Sequence, residues 1–224
     1  MPRTSRAIVP DYCYHVINRG NNRMRLFHDR ADYIAFLWLL AESFDEFAVP
    51  VLAACVMPNH LHVVMQPRRS GDLAAWAHWL FTTHARRHHK KFGTSGRVWQ
   101  GRFKASIVQT DPHLLILLRY VERNAMTARI VSAAEDWEWG SLRWRLRGVG
   151  PIRLAPSPVT LPSNWRDYVN TPQPADELAA IRNAIERQAP YGEESWSINT
   201  ARQLGLEATL APRGRPRRKI VTEK

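Results

Sequence analysis

The order of apolar and polar positions divides the chain into short β-like runs and longer stretches with a helical repeat. Residues 12–18, YCYHVIN, are rich in aromatic and β-branched side chains and end in the turn cluster Arg19-Gly20-Asn21-Asn22, which predicts a first strand. Asp29 and Asp32 then supply a cap and a first-turn acid. Tyr33, Leu37, Leu40, Phe44 and Phe47 share one stripe, so 31–47 reads as an amphipathic helix broken by Pro50. VLAACVM at 51–57 predicts a buried strand. HLHVVMQ at 60–66 alternates as a second, separated from it by a gap of hairpin length. Asp72 is the predicted cap of a helix carrying Leu73, Trp76, Leu80 and His84 and stopping at Gly93. Residues 97–110 read as an extended strand. A helix capped by Asp111, with Pro112 at its first position, carries Leu114, Leu117, Tyr120, Val121 and Asn124.

The resulting order, βαββαβ plus one helix, is the ferredoxin-like pattern of an α+β fold, an antiparallel sheet covered by helices. It occupies 1–132. Residues 133–188, with several Pro and Trp, predict an irregular wrap ending in a short helix at 176–188, and 189–224 an extension with a basic GRPRRK tail.

Composition adds three constraints. The two cysteines, Cys13 and Cys55, sit in apolar runs and make neither a disulfide framework nor a four-thiolate zinc site. With no secretory h-region and no apolar run of spanning length, they imply a reduced, cytoplasmic protein without a membrane. The net charge of +12 is concentrated: 67–129 contribute +9 and 211–224 contribute +5, while 1–66 are neutral. Basic surface gathered in this way points to a polyanion, though a solvated face without a partner has the same composition.

His60 and His62, two apart on a strand, point to one face, with Leu61, Val63 and Met65 on the other. The pair fits half of a divalent-metal site or simply a satisfied surface or core pair. Tyr120 and Asn124, four apart on a helix, share a face. If that helix crosses the sheet face bearing the histidines, Asn124 offers an oxygen ligand and Tyr120 a hydroxyl beside the ion. The blander reading makes Tyr120 a core-edge residue and Asn124 a helix terminus. His84 and His88 are also four apart, but the glutamate of a zinc-protease helix is missing.

Four blocks in order, YHVINRGNNR, MPNHLHVV, WQGRFKASIV and RYVERNAMTARIV, resemble the single-tyrosine HUH transposases of insertion sequences. YGEESW and LGLEATLAPRGRPRRK narrow the resemblance to the REP-associated tyrosine transposases. The resemblance implies a ferredoxin-like HUH nuclease fold and a substrate of single-stranded, hairpin-forming DNA with a tetranucleotide on its 5′ side. It also implies a Mg²⁺ or Mn²⁺ cofactor. By position, His60 and His62 match the metal-binding pair, and Tyr120 matches the nucleophile that forms a 5′-phosphotyrosine and frees a 3′-hydroxyl. Asn124 falls where relatives place a third ligand, often Gln. Ala125 departs from the proline many relatives carry after that asparagine.

Arg86, Arg87, Lys90 and Lys91 on one helix segment fit phosphate tracking, and Arg97, Arg102 and Lys104 fit the same groove. Arg215 and Arg217 in the tail fit a minor groove or a phosphate run, or serve only solubility. By resemblance the loop of Arg19, Asn21, Asn22 and Arg23 lies near the DNA. Trp99, Trp137, Trp139 and Trp144 are candidates for base stacking, though most suit the core or the wrap better. Two further functions compete with a strand-transferring endonuclease: a domesticated hairpin-binding module without chemistry, and a phosphoesterase that hydrolyses without a covalent tyrosine. The sequence leaves monomer and homodimer both open.

Overall fold

Four strands, β1 (Cys13–Arg19), β2 (Val51–Met57), β3 (His60–Met65) and β4 (Lys104–Val108), pair antiparallel in the order β2-β3-β1-β4. This is the ferredoxin-like arrangement that the βαββαβ order predicts. The computed structural model describes residues 8–211; Arg215, Arg217 and the rest of the basic tail lie outside the described residues.

Alternation along each strand sends side chains to two cores. Tyr14, Val16, Leu61, Val63, Met65, Val56 and Ile107 face α1 (Arg30–Phe47) and α2 (Asp72–Phe92). Asp29 caps α1 by accepting from the Asp32 amide at 2.8 Å. Trp76 of α2 is fully buried and donates to Ser43 Oγ at 2.9 Å, tying the two helices together. Cys13, Leu52, Cys55, Met57, Val64 and Val108 face the opposite way, against α3 (Pro112–Glu122) and the segments that follow it. Both cysteines are free and buried.

The structure departs from the sequence reading in four places. The last strand is five residues long rather than the whole of 97–110. Gly101 takes a left-handed conformation, φ 88°, and Trp99 bridges back to Gly20, so 97–103 is a folded loop. Gly71, not Asp72, is the cap of α2; Asp72 is its first residue and accepts from the Arg69 amide. The helix across 112–124 is interrupted at Arg123 and resumes as α4 (Asn124–Thr127). The stretch 133–188 is more regular than a wrap, with α5 (Ser141–Arg147), α6 (Trp165–Asn170) and α7 (Ala175–Arg187).

Buried Glu122 fastens these segments to α3, accepting from Ser141 Oγ at 2.7 Å, Arg145 at 3.0 Å and Trp165 Nε1 at 2.7 Å. Beyond α7, Tyr191 joins the free edge of β4 by a parallel bridge to Val108, ahead of α8 (Glu194–Gln203). Gly192 is required at this crossing: a Cβ there would stand 2.4 Å from Gln109 Oε1. Among the described residues no helix is long and apolar enough to cross a membrane.

Candidate active site

The β2–β3 hairpin turns through only Pro58 and Asn59, with Met57 paired to His60, so His60 stands at the mouth of the sheet and His62 one pleat inward. Both belong to the face on which α3 packs. On β1, Ile17 lies opposite His62 and Arg19 opposite His60, which makes His15 and Arg19 the diagonal neighbours of His62 on the same face. Leu114, Leu117, Leu118 and Val121 bury the inner stripe of α3 against this face. Tyr120, at the edge of that stripe, therefore turns toward the histidines.

The four residues singled out for chemistry do come together. The ring centroids of His60 and His62 are 4.9 Å apart, and Tyr120 sets its ring edge-on to His62 at 5.7 Å. Asn124 Nδ2 approaches His62 Nε2 at 3.4 Å, and the same side chain is near enough to His60 and Tyr120 to act on their pKa values. The break at Arg123 does not separate Tyr120 from Asn124, because Arg123 still donates to the Arg119 carbonyl and Thr127 to that of Arg123.

Two neighbours fix the imidazoles. His60 Nδ1 lies 2.7 Å from Asn59 Oδ1, an acceptor, so Nδ1 carries the proton and Nε2 keeps its lone pair. His62 Nδ1 lies 2.9 Å from His15 Nε2, and the two rings stack with centroids 5.1 Å apart. With Asn124 donating to His62 Nε2, His62 Nδ1–H must donate to His15. Both Nε2 atoms thus carry the electron pair a ligand needs, that of His62 accepting from Asn124 Nδ2 in this structure. Asn59 also donates through Nδ2 to the Arg23 carbonyl at 3.1 Å, joining the 3-10 turn Asn21–Arg23 to His60.

Electrostatics favour the same form. Burial, with Arg19 nearby, lowers the pKa of His60 to about 4. Burial, reinforced by His60, His15 and Arg19, holds His62 well below its ordinary value. Burial alone takes His15 to about 3. All three are neutral near pH 7, as an imidazole ligand must be. Burial raises the Tyr120 phenol above its ordinary range, while Arg182, Arg19 and Asn124 act against that rise. Among the described residues no three His, Cys, Asp or Glu side chains are grouped to hold a metal. The donor set is two imidazoles and one amide. It fits a hard or borderline divalent ion, which would take its remaining ligands from substrate or water.

The other predicted contacts distribute unevenly. Arg19 is at the site. Asn21, Asn22 and Arg23 form the turn tethered by Asn59. Arg86, Arg87, Lys90 and Lys91 lie on α2, in the layer behind the sheet. The end of α2 still abuts the loop after β1, where His28 meets Phe92 with centroids 4.9 Å apart. Lys91 differs from the rest of that patch, being paired with Asp29 at 3.0 Å and Asp32 at 2.6 Å. Arg97, Arg102 and Lys104 line a separate cleft of about 490 Å³ beside β4, with Arg187. Trp99 and Trp144 are core residues; Trp137, which donates to the Val56 carbonyl, and Trp139, which stacks on Tyr33, are half-buried against the core. His84 and His88 are buried among Phe27, Phe36, Phe92 and Trp99. A larger cleft, about 1140 Å³, runs between α1 and α5 past Trp38 and Trp139 and is lined by none of the site residues.

Sequence reasoning missed His15, Asn59 and Arg182. Strand alternation would have put His15 on the face of Ile17, and Asn59 adjoins His60. Nothing local distinguishes Arg182.

Residues 8–124 match the family described as Transposase IS200 like. A REP-associated tyrosine transposase of Haemophilus influenzae is 26% identical over 122 residues, which is 49% of this chain and 69% of the relative. A solved REP-associated tyrosine transposase bound to a REP hairpin superposes with a TM-score of 0.54 at 17% identity, covering 71% of this chain and 94% of the other. A transposase from Deinococcus radiodurans gives a TM-score of 0.39 at 19% identity over 54% of this chain and 96% of its own.

Proposed function

From the premise that the chain belongs to the IS200-like transposase family, we propose that it is a metal-dependent endonuclease and strand-transferase acting on single-stranded DNA. Its substrate is the hairpin DNA of repeated extragenic palindromes, and it works in the cytoplasm. The observation that carries the reading is the convergence of the Tyr120 hydroxyl, two neutral imidazoles and the Asn124 amide on the α3 face of the sheet, at the hairpin end of β3. A hairpin-bound structure shares the fold, and a relative named as a REP-associated tyrosine transposase is 26% identical over 122 residues.

His60 and His62, through Nε2, and Asn124, through its amide oxygen, would hold Mg²⁺ or Mn²⁺. The bound ion supplies Lewis-acid polarisation of the scissile phosphate. Asn59 and His15 hold the two rings in the tautomers that leave Nε2 free. Tyr120 attacks in line: the Oη–P bond forms, its proton passes to solvent, and the P–O3′ bond breaks. The electron pair leaves on O3′, which takes up a proton as the free 3′-hydroxyl. The phosphotyrosine preserves the phosphodiester energy, so attack by a 3′-hydroxyl reverses the step and joins strands. The basic turn after β1 and the α2 patch supply phosphate contacts that position the hairpin.

His60→Ala tests this reading, with cleavage and binding of a labelled hairpin oligonucleotide measured separately. The expected result is loss of Mn²⁺-dependent cleavage with hairpin affinity retained within a few fold. Cleavage at the wild-type rate would refute it.

A further inference from the structure

The arginines around Tyr120 differ in what they are bound to. On α3, Arg119 is buried, donating to the carbonyls of Thr171 at 2.6 Å and Pro172 at 3.0 Å, with Glu177 3.9 Å away. Arg123 donates to the Val169 carbonyl at 2.9 Å. Both cations are committed to holding the end of α6 and the residues just after it against the end of α3. Arg182 is different. It lies on α7, is exposed, and stands near enough to the Tyr120 hydroxyl for its charge to oppose the rise that burial gives the phenol.

The placement of Arg182 is fixed rather than incidental. Ile181 and Ala184 bury the inner stripe of α7 in the same core as α3. Ser106 Oγ of β4 donates to the Ala184 carbonyl at 2.9 Å, pinning the helix to the edge strand. Gln173 donates to the Ile116 carbonyl at 3.2 Å, fixing the approach of α7 to α3. Arg182 follows Ile181 by one position, so it stands at the rim of the buried stripe and reaches across to the phenol. A guanidinium has five N–H donors in a planar fork. Beside the Tyr120 oxygen, such a fork can meet an anion that approaches it.

We propose that Arg182 is a further catalytic residue, whose guanidinium binds the non-bridging oxygens of the scissile phosphate while it contacts the attacking Tyr120 hydroxyl. The proposal rests on the reading of Tyr120 as nucleophile. It extends the active site beyond residues 8–124, the part that matches the family, into the helix at 175–187. The negative charge that builds on the phosphoryl oxygens during attack then meets a fixed cation, in addition to any ion at the histidines. Arg182 does not act as a base; its role is to orient and to stabilise charge.

Two readouts test it on the full chain. The first is independent of chemistry. In a Tyr120→Phe background with EDTA, affinity is measured against salt for two oligonucleotides, a hairpin alone and the same hairpin with single-stranded flanks. Adding Arg182→Gln should lower the salt slope by about 0.7 on the flanked probe, the value of one single-strand phosphate contact, and leave it unchanged on the bare hairpin. Equal slopes on the flanked probe overturn the proposal. The second readout is single-turnover formation of the covalent protein–DNA adduct with Mn²⁺. Arg182→Gln should slow it about a hundredfold, with Arg182→Lys intermediate because it keeps the charge but loses the fork. An Arg182→Gln rate within twofold of wild type overturns the catalytic role. Failure of the Tyr120 reading shows differently, as cutting that persists in Tyr120→Phe; it removes the catalytic role, while the salt slope still reports on the phosphate contact.

Discussion

Replacing His15 by Phe removes one acceptor and keeps the volume of a ring. In the wild type, His62 Nδ1–H donates to His15 Nε2 at 2.9 Å, and the rings stack. His15 is 2% exposed, so no water replaces that acceptor. The variant leaves a buried N–H unpaired, which costs about 1–3 kcal/mol unless His62 switches tautomer. Switching moves the proton to Nε2 and removes the lone pair that faces Asn124. Either outcome weakens the ligand. Loss of a hydrogen-bond partner behind a metal-bound histidine typically reduces metal affinity by about 10–100-fold, or roughly 1.4–2.7 kcal/mol. The assay is titration of the DNA-free protein with Mn²⁺, reading free ion by EPR, with a urea denaturation curve taken in parallel. His15→Gln, which presents an amide oxygen, should recover much of the affinity. A merely structural residue would lower stability and leave Mn²⁺ binding alone. Binding by His15→Phe within twofold of wild type would refute the reasoning.

Other outcomes follow from the same geometry. Glu122→Gln leaves Arg145 without its carboxylate and sets an amide against the Trp165 N–H, so it should destabilise the protein by about 3–5 kcal/mol in urea denaturation; a change under about 1 kcal/mol would contradict the anchoring role. Burial lowers the pKa of His84 to about 3, so the native state keeps it neutral while the unfolded chain takes up a proton as pH falls below about 6.5. Stability is therefore lost on acidification. His84→Leu should remove roughly 2 kcal/mol of the loss seen between neutral pH and about pH 5, and an unchanged pH dependence would argue otherwise. Arg86→Ala with Arg87→Ala should reduce the salt slope of hairpin binding by about 1.4–1.8, whereas Lys91→Ala, already paired with Asp29 and Asp32, should change it little.

The elements with a clean period were legible from sequence: α1 and α2 with their apolar stripes, the β2–β3 hairpin, and β1 closing on Arg19. Family resemblance was legible too, and the family match and the named relatives bear it out. What failed did so for physical reasons. The last strand was drawn too long because Val98, Trp99 and Phe103 look β-like, yet Gly101 and the Gly20–Trp99 bridge fold that segment into a loop. Of the four tryptophans weighed for base stacking and read mostly as core or wrap, Trp99 and Trp144 are buried and Trp137 and Trp139 half-buried, while Trp38, 73% exposed, was not among those considered. Alternation and helix period put His60 with His62 and Tyr120 with Asn124, each pair on one face; that the two faces meet was carried by the family resemblance. The parts set by pairing register or long-range docking were not legible. His15 meets His62 only through the β1–β3 register, and Arg182 reaches Tyr120 only because α7 docks on β4.

The central claim is that Tyr120 becomes covalently joined to DNA. Wild type and Tyr120→Phe are incubated with labelled single-stranded hairpin DNA bearing its flanks, with Mn²⁺ or with EDTA, and run on a denaturing gel. The account predicts a protein–DNA adduct in the wild type with Mn²⁺ and in no other lane. Cleavage by both proteins without an adduct would contradict it in favour of a hydrolase, and binding without cleavage across a range of hairpins would contradict it in favour of a binding module.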